Sequence, residues 1–288
     1  MPAKILVCLD TDPQPSVFDG VVAVDAGVDH LFRHGGVTPA DVQNLVYGAI
    51  FTRAPDELNN TAIFVGGSDV SAGEKVLAAV KETCFGPMRV SVMLDSNGSN
   101  TTAAAAVIAA GRHTDLSQST VTVLAGTGSV GKRILLMLAD DGARMRLGSR
   151  SLEHAQQVAE EVRHKAPNAV IECMVTTDEA GLRKSLDGAN VVISSGPPGV
   201  ELFPQRVRDD YPNLDVAIDL NAVPPLGIEG IEVVDKRVEQ GSTICYGAIG
   251  VGGTKMKIHH AAIAKLFTAN DLVFDATEIY ELGKELEA

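Results

Sequence analysis

Residues 126–131 carry a glycine spacing that suits the binding of phosphate groups. The segment reads Gly-Thr-Gly-Ser-Val-Gly, which matches the pattern G-x-G-x-x-G. In this pattern the first glycine permits a tight turn, the second lets a pyrophosphate approach the backbone, and the third lets the next helix pack closely on the sheet. The N–H groups at the start of that helix then face the anionic ligand. The predicted dinucleotide-binding residues are Gly126, Thr127, Gly128, Ser129, Val130 and Gly131.

The residues on both sides of the glycines support this interpretation. The apolar segment Val121–Ala125 leads into them as a strand, and Lys132–Ala139 continues as a helix with an apolar face. A second strand follows at the spacing that is typical of dinucleotide-binding units. These flanks favour a dinucleotide site over the alternative, an ordinary tight strand–helix turn of an α/β protein.

The tip of the second strand bears on which dinucleotide binds. An acidic residue there accepts hydrogen bonds from the ribose 2′-hydroxyl of NAD, and it would repel a 2′-phosphate. This chain instead reads Gly148-Ser149-Arg150, with Arg146 nearby in the sequence. A guanidinium can hold a phosphate through two hydrogen bonds, and a serine hydroxyl can donate a third. We therefore predict NADP as the cofactor, bound by Ser149 and Arg150. The alternative is that Arg150 is a solvated residue at a strand end.

Two later loops also follow apolar strands. One contains Ser195 and Gly196 after the strand Val191–Ile193, and the other contains Asn221 after Val216–Ile218. In open α/β sheets, ligands lie beyond the carboxyl ends of the strands. Ser195, Gly196 and Asn221 are therefore predicted to line the cofactor. Ordinary turns made by the proline and glycine residues of the first loop are the alternative.

Strand-like and helix-like segments alternate along the chain, which predicts an α/β fold with mostly parallel sheets. A polar, turn-rich segment at residues 111–119 indicates a linker between two domains. We expect an α/β domain at residues 1–112 and a Rossmann-type NADP-binding domain at residues 113–267. The predicted strands are Lys4–Leu9, His30–Arg33, Thr61–Val65, Met88–Leu94, Thr120–Ala125, Met145–Gly148, Val170–Val175, Val191–Ser194 and Val216–Leu220. The predicted helices include Val17–Ala26, Pro39–Phe51, Gly73–Cys84, Asn100–Ala110, Leu152–His164, Ala261–Phe267 and Asp275–Leu286. Ser16 is predicted to cap the first of them, and Thr38 with Asp41 forms a capping sequence for the second.

Composition and charge argue against several classes of partner. The chain has 288 residues, of which 45% are hydrophobic, and a formal net charge of −13. A nucleic-acid partner is not expected, because phosphate backbones bind to basic surfaces. The N-terminal segment predicts a strand rather than a signal peptide, and no apolar run is long enough to cross a bilayer. The four cysteines form no C-x-x-C motif, so we expect a cytoplasmic protein with reduced thiols.

Several longer motifs make the chain resemble a known family over essentially its whole length. The most specific are LDSNGSNTTA at 94–103 and GAIGVGGTKMKIH at 247–259. They resemble the methylene-tetrahydromethanopterin dehydrogenases of methylotrophic bacteria, whose most similar members use NADP and also accept methylene-tetrahydrofolate. The other shared motifs are DTDPQPSVFD at 10–19, IFVGG at 63–67, LAGTGSVG at 124–131 and NAVPPLGIEGI at 221–231.

The resemblance implies a one-carbon oxidation. A methylene bridge between two nitrogens of the tetrahydropterin loses a hydride to NADP and becomes a methenyl group. The resulting cation is shared by both nitrogens, and no proton has to be removed. No Ser–His or Tyr–Lys acid–base device is therefore required. The main task of the protein would be to orient the nicotinamide against that carbon and to exclude water.

The resemblance also implies substrate-binding residues in the first domain. Asp19 and Asp95 would accept hydrogen bonds from pterin N–H groups, and Asn97 and Thr101 would help to fix the ligand. Lys255 would lie near the reacting carbon, after a glycine-rich loop that bends over the cofactor, with a positioning role. The alternatives are a helix-surface acid for Asp19, a turn residue for Asp95 and a solvated loop lysine for Lys255.

The resemblance further implies that residues 268–288 return to the pterin-binding domain and that the protein is a homo-oligomer, with a homotrimer favoured. A metal site is not expected: His259 and His260 are adjacent on a predicted helix and point about 100° apart.

Three alternative functions stay open: a shikimate- or quinate-type dehydrogenase, a dehydrogenase–cyclohydrolase and a non-catalytic NADP-binding sensor. The second is disfavoured because Tyr47 has no lysine one helical turn further on.

Overall fold

A computed structural model of the protein describes residues 2–287. It consists of β-strands and α-helices in alternation, together with short 3-10 helices. The strands are β1 (Ile5–Asp10), β2 (His30–His34), β3 (Thr61–Gly66), β4 (Ser91–Leu94), β5 (Thr120–Leu124), β6 (Arg144–Ser149), β7 (Val170–Val175), β8 (Val191–Ser194), β9 (Val216–Asp219), β10 (Lys236–Gln240), β11 (Thr243–Tyr246) and β12 (Val273–Phe274). The helices are α1 (Val17–Asp25), α2 (Pro39–Ile50), α3 (Val70–Thr83), α4 (Ser99–Gly111), α5 (Ser129–Asp140), α6 (Leu152–Lys165), α7 (Glu179–Leu186), α8 (Gln205–Arg208), α9 (Ala248–Lys265) and α10 (Ala276–Glu285).

The chain divides into two compact units. The first unit contains the residues up to 101 and those from 256 onward, and the second contains residues 102–255. Both boundaries therefore fall inside helices, namely α4 and α9. The sequence predicts boundaries after residues 112 and 267 instead. It does so because a change to polar composition shows where a helix ends, whereas the boundaries between the two units lie within helices.

The first unit is built on a five-stranded sheet in the order β12-β4-β3-β1-β2. All of its neighbouring strands are parallel. The chain passes from β1 to β2 on one side and then returns to β3 on the other side of β1. The strand order therefore reverses between β1 and β3. The carboxyl ends of these two strands are the place where a ligand is expected in an open parallel sheet. One face of the sheet packs on a buried apolar cluster that includes Leu9, Val65, Val76 and Leu94.

The second unit is built on a seven-stranded sheet in the order β10-β11-β9-β8-β5-β6-β7. Apart from the edge strand β10, which is antiparallel to β11, the strands are parallel. Read from β7 to β11, this is the strand order of the dinucleotide-binding Rossmann fold, with its switch point between β5 and β8. The predicted α/β class, with mostly parallel sheets and a Rossmann-type unit, is confirmed.

Several helix starts follow from local capping residues. The Ser16 hydroxyl accepts a hydrogen bond from the Asp19 backbone N–H at 3.2 Å, as expected for the first residue before α1. The predicted capping box of Thr38 and Asp41 also forms at the start of α2. Helix α3 starts earlier than its predicted residue 73, because the Asp69 carboxylate caps it by accepting from Ala72 N at 3.0 Å.

The glycine-rich segment before Lys255 is a helix, so the prediction of a flexible loop there is wrong. Helix α9 begins at Ala248 and runs without a break to Lys265. A Cβ atom on Gly247 would lie 2.0 Å from the carbonyl oxygen of Glu232, and one on Gly250 would lie 1.7 Å from that of Asp235. These two glycines therefore allow close packing of the helix start on a neighbouring backbone segment. The sequence pattern also missed the strands β10 and β11, which precede this helix.

None of the described helices is both long enough and apolar enough to span a membrane. The four cysteines are free thiols. Burial raises the pKa of the Cys8 thiol to about 12 and that of Cys245 to about 11, so both are protonated at neutral pH.

Candidate functional site

A different structural feature explains each of the three glycines in the G-x-G-x-x-G segment. A Cβ on Gly126 would lie 2.8 Å from side-chain atoms of both Val123 and Leu147. A Cβ on Gly131 would lie 2.3 Å from the carbonyl oxygen of Gly126, so this glycine lets α5 pack against the turn. A Cβ on Gly128 would meet no atom within 4 Å. Gly128 therefore borders open space, as a residue approached by a ligand should.

The start of α5 offers backbone donors to that space. Gly128 is its N-cap residue and has no side chain that could accept a hydrogen bond from the first amide groups. Ser129 and Val130 form the first turn, and Thr127 precedes it in the turn from β5; all three are partly buried. Uncapped amides and the positive end of the helix dipole favour an anion at this position.

The residue that follows β6 is an arginine, and its charged side chain is exposed to solvent. Arg150 is exposed, and within residues 2–287 its guanidinium forms no hydrogen bond or ion pair. Ser149 is buried, and its hydroxyl accepts from Ser151 N at 3.2 Å, which leaves its proton available to a ligand. The residues at this tip can therefore hold a 2′-phosphate without first breaking an internal ion pair.

Arg146 lies on the same strand but does not contribute to that tip. Its guanidinium donates to the carbonyl oxygens of Ser185, at 3.2 Å, and of Asp187. It also lies 3.4 Å from the Glu172 carboxylate. Arg146 therefore attaches the end of α7 to β6 and pairs with an acidic residue of β7.

Ser195 lies beside the glycine turn, because β8 is the neighbour of β5. Its backbone N–H and its hydroxyl both donate to the carbonyl oxygen of Leu124, at 3.1 and 3.3 Å. A Cβ on the adjacent Gly196 would lie 2.6 Å from the end of the Leu202 side chain, so a larger residue there would require Leu202 to move. Ser195 and Gly196 thus lie at the switch point of the second sheet.

Asn221 is buried, and the loop itself uses its side chain. Its Nδ2 donates to the Pro225 carbonyl at 3.1 Å, and its Oδ1 accepts from Val223 N at 2.9 Å. Its own N–H donates to the Asp219 carboxylate. Burial raises the pKa of Asp219, and the backbone hydrogen bonds that this carboxylate accepts oppose the rise. Asn221 therefore shapes the loop after β9.

In the first unit, Asp95 and Thr101 form one buried network. The Asp95 carboxylate accepts from Asn100 N at 2.9 Å, from Thr101 N at 3.1 Å and from the Thr101 hydroxyl at 2.6 Å. Asp95 is 1% exposed and Thr101 is fully buried. These two residues therefore cap α4 and hold the loop after β4.

Asn97 and Asp19 both lie close to the Gly66-Gly67 turn that ends β3. Asn97 is exposed with a left-handed backbone (φ 53°), and its N–H donates to the Gly67 carbonyl at 2.7 Å. Asp19 lies in the first turn of α1, and its Oδ2 is 3.6 Å from the place that a Cβ on Gly66 would occupy. The structure thus brings Asp19, Asp95, Asn97 and Thr101 to the carboxyl ends of the strands in the first sheet.

One residue of this region was missed by reasoning from the sequence. His259 on α9 is fully buried, and its ring stacks on Phe64 with centroids 5.7 Å apart. Its Nδ1 lies 4.0 Å from the Asp95 carboxylate. The neighbouring Lys257 and His260 give the segment a polar appearance, but the helical spacing of His259 with the buried Ala262 and Ile263 is a signal that could have found it.

Lys255 lies on α9, one helical turn before His259, and is partly buried. Residues four apart on a helix share one face, so the two side chains leave the helix in similar directions. No group of three or more His, Cys, Asp or Glu side chains suited to a metal ion occurs among residues 2–287.

Replacing Asp95 by alanine should lower the free energy of unfolding by about 2 to 4 kcal/mol, because three buried donors lose their acceptor. Asp178→Ala is the control, since Asp178 is an exposed cap that accepts one hydrogen bond, from Gly181 N at 2.8 Å. It should cost about 1 kcal/mol. Urea unfolding of both variants measures the difference. Equal losses would contradict a structural role for the Asp95 network.

Two solved dehydrogenase structures are similar to this chain in fold. Shikimate 5-dehydrogenase from Listeria monocytogenes, in complex with shikimate and NAD, superposes with a TM-score of 0.61 and 14% identity over 99% of this chain and 96% of that chain. Quinate dehydrogenase from Corynebacterium glutamicum, in complex with NAD, gives a TM-score of 0.53 and 13% identity over 98% of this chain and 99% of that chain. At such identities the similarity establishes the fold alone.

Sequence relatives are more informative. The profile described as "Methylene-tetrahydromethanopterin dehydrogenase, N-terminal" matches residues 17–97. The "Bifunctional protein MdtA" of Methylorubrum extorquens is 46% identical over 288 residues, which are 99% of this chain and 100% of the relative. The "NAD(P)-dependent methylenetetrahydromethanopterin dehydrogenase" of the same bacterium is 32% identical over 296 residues and 99% of both chains. The chain belongs to the methylene-tetrahydromethanopterin dehydrogenase family.

Proposed function

We propose that the protein oxidises a methylene-tetrahydropterin, either methylene-tetrahydromethanopterin or methylene-tetrahydrofolate, to the methenyl form, with NADP as the hydride acceptor. The observation that carries the proposal is the end-to-end similarity to a relative named as an NAD(P)-dependent methylenetetrahydromethanopterin dehydrogenase. The glycine turn supports it, because Gly128 borders open space beside uncapped helix amides.

The reaction balances without a protein acid or base. One C–H bond of the methylene bridge would break, and NADP, when bound, would supply the nicotinamide C4 that accepts the hydrogen with both electrons. The positive charge left on carbon is shared by the two flanking nitrogens. The residues of the chain therefore have to bind, orient and exclude water.

We assign the preference for NADP over NAD to the tip of β6. The exposed Arg150 would hold the 2′-phosphate through two charge-assisted hydrogen bonds, and Ser149 would donate a third. The remaining cofactor contacts would come from the amides of the 126–131 turn, from Ser195 and Gly196, and from the backbone near Asn221.

We assign the pterin to the carboxyl ends of the strands in the first unit. Asp19 would accept hydrogen bonds from the ring N–H groups, and the exposed Asn97 would bind a second polar group. Asp95 and Thr101 would act mainly by holding the loop that carries Asn97, since they bond to each other. Lys255 would position polar groups of the substrate from α9.

The assay follows NADPH absorbance after the protein is mixed with NADP or NAD and with each methylene-pterin. We expect turnover with at least one pterin and a clear preference for NADP. Oxidation of shikimate alone would overturn the proposal in favour of a shikimate-type dehydrogenase. NADP binding without turnover of any of the three substrates would overturn it in favour of a binding module.

We further propose a homo-oligomer, with a homotrimer favoured, in a reducing cytoplasm. The four free thiols are in keeping with a reducing compartment. The net charge of −13 supports the expectation that nucleic acid is not a partner. Light scattering on the purified protein measures the oligomeric state.

A further inference from the structure

The loop that follows β9 returns to the strand that it leaves. Asp219 is the last residue of β9, and its carboxylate is 1% exposed. One carboxylate oxygen accepts from Asn221 N at 3.1 Å, and the other accepts from Ile228 N at 3.0 Å. The two oxygens of one buried side chain therefore hold the beginning and the end of residues 221–228, which we call the β9 loop.

A glycine allows the β9 loop to close over this carboxylate. A Cβ on Gly227 would lie 2.6 Å from Oδ1 of Asp219 and 2.3 Å from the hydroxyl oxygen of Ser194, the last residue of β8. Both atoms belong to short, buried side chains that have little room to move. Any side chain at position 227 would therefore separate the end of the loop from β8 and β9.

Backbone hydrogen bonds also join the β9 loop to the loop that follows β8. The Gly199 N–H donates to the carbonyl oxygen of Val223 at 3.1 Å. The N–H groups of Leu202 and Phe203 donate to the carbonyl oxygen of Gly227 at 2.8 and 3.0 Å. Because the two loops are joined at two places, they form one wall at the carboxyl ends of β8 and β9.

The exposed part of this wall is apolar. Residues 222–225 read Ala-Val-Pro-Pro, and all four are exposed. Val223 is 49% exposed, and Val200 in the neighbouring loop is 41% exposed. Exposed apolar patches commonly mark places where a ligand or a partner binds. An apolar segment whose backbone is held at both ends suits contact with the face of a ring from which water has to be excluded.

The strand order indicates which part of a dinucleotide would meet this wall. A Rossmann sheet consists of two halves, and each half binds one mononucleotide of the dinucleotide. The half made of β5, β6 and β7 carries the glycine turn and is followed at the tip of β6 by Arg150, so it would receive the adenosine part. The other half contains β8, β9 and β11. The wall therefore lies where the nicotinamide part is expected.

We propose that residues 222–225 contact the nicotinamide half of NADP, and that Asp219 is the positioning residue that holds them there. The proposal rests on the proposed function and adds to it a residue that fixes the reacting end of the cofactor. Contact with the apolar segment would keep water from one face of the nicotinamide ring and limit its rotation. Both effects favour transfer of a hydride to one carbon atom in one geometry.

A fragment of the cofactor separates this role from a general effect on the fold. Adenosine 2′,5′-bisphosphate carries the adenosine and the 2′-phosphate of NADP but no nicotinamide. Asp219→Asn replaces one acceptor oxygen by an NH2 group, which would face a backbone N–H. In this variant the affinity for NADP should fall about tenfold or more, and that for the bisphosphate should stay unchanged. Calorimetric titration measures both. An equal loss for both ligands, or no loss for NADP, would overturn the role of Asp219.

Turnover gives a second measure of positioning. The amount of adenosine 2′,5′-bisphosphate bound at saturation counts the folded cofactor sites in a preparation. The kcat per such site should fall about tenfold or more in Asp219→Asn even at saturating NADP, because a loosely held nicotinamide reaches the reacting geometry less often. The KM for the methylene-pterin should change little. A kcat per site equal to that of the unmodified protein would contradict a positioning role.

Val223→Ser tests the contact itself at an exposed position, so the variant should fold. Its affinity for NADP should fall about fivefold, because apolar contact area is lost, and its affinity for the bisphosphate should not change. Val170→Ser is the matched control, since Val170 is 60% exposed and begins β7, at the amino ends of the parallel strands. It should keep both affinities. Equal NADP affinities in Val223→Ser and Val170→Ser would overturn the contact.

Failure of the proposed function and failure of this inference give different results. If the unmodified protein binds no NADP and turns over neither pterin, the proposed function is wrong. If it turns over a methylene-pterin with NADP, and the Asp219 and Val223 variants keep the unmodified ratio of NADP to bisphosphate affinity, the proposed function stands. The assignment of residues 222–225 and Asp219 to the nicotinamide is then wrong.

Discussion

Arg150→Ala is expected to lower kcat/KM with NADP by roughly 30- to 150-fold, and to leave kcat/KM with NAD nearly unchanged. The loss corresponds to about 2 to 3 kcal/mol, the contribution of hydrogen bonds to a charged group. Arg150 is exposed and carries no internal ion pair within residues 2–287, so its removal breaks nothing in the folded protein. Steady-state kinetics with both cofactors measure the ratio.

Arg144→Ala is the matched control for this prediction. Arg144 is an exposed arginine at the first residue of β6, whereas Arg150 follows the last residue of that strand. The two variants change the net charge equally, so a general electrostatic effect would appear in both. Equal loss of NADP and NAD activity in Arg150→Ala would place the residue elsewhere than at the 2′-phosphate. If Arg144→Ala lost NADP activity to the same extent, the effect of Arg150 would be a long-range electrostatic one and not a specific contact with the 2′-phosphate.

Features that depend on neighbouring residues were predictable from the sequence. The caps at Ser16 and at Thr38 form as predicted, because a capping hydrogen bond joins residues three apart. The glycine turn also forms at the predicted residues, since its three glycines and its flanks are contiguous in the sequence. The α/β alternation predicts the class of fold for the same reason, as each element carries its own periodicity.

Features that depend on distant residues were not predictable. The start of α9 has the composition of a flexible loop, and its glycines are explained only by the backbone of residues 232–235. The direction of Arg146 depends on carbonyl groups of residues 185 and 187. The burial of His259 depends on Phe64, far away in the chain. In each case a partner that is remote in sequence determines the role, and a single sequence does not show which residues will meet.

Gly128→Ala is expected to reduce the affinity for NADP about 100-fold or more without changing the stability of the protein. The backbone at Gly128 (φ −77°, ψ 178°) is open to alanine, and the added methyl group would meet no protein atom within 4 Å. The methyl group would occupy the space in which a pyrophosphate approaches the amides of α5, so at least two charge-assisted hydrogen bonds would weaken. Calorimetric titration with NADP and thermal unfolding measure the two effects separately. Gly48→Ala, at another open glycine, should keep full NADP affinity.

Gly131→Ala should show the opposite combination, and the contrast tests the assigned roles of the glycines. Its Cβ would lie 2.3 Å from the Gly126 carbonyl oxygen and 2.5 Å from that residue's Cα. Backbone cannot rotate away as a side chain can, so α5 would have to shift, at a cost of about 3 kcal/mol or more. Gly131→Ala should therefore lose stability first, whereas Gly128→Ala should lose only binding. If Gly128→Ala kept its NADP affinity, the pyrophosphate would have to bind away from this turn, and Arg150 would no longer be placed to reach the 2′-phosphate.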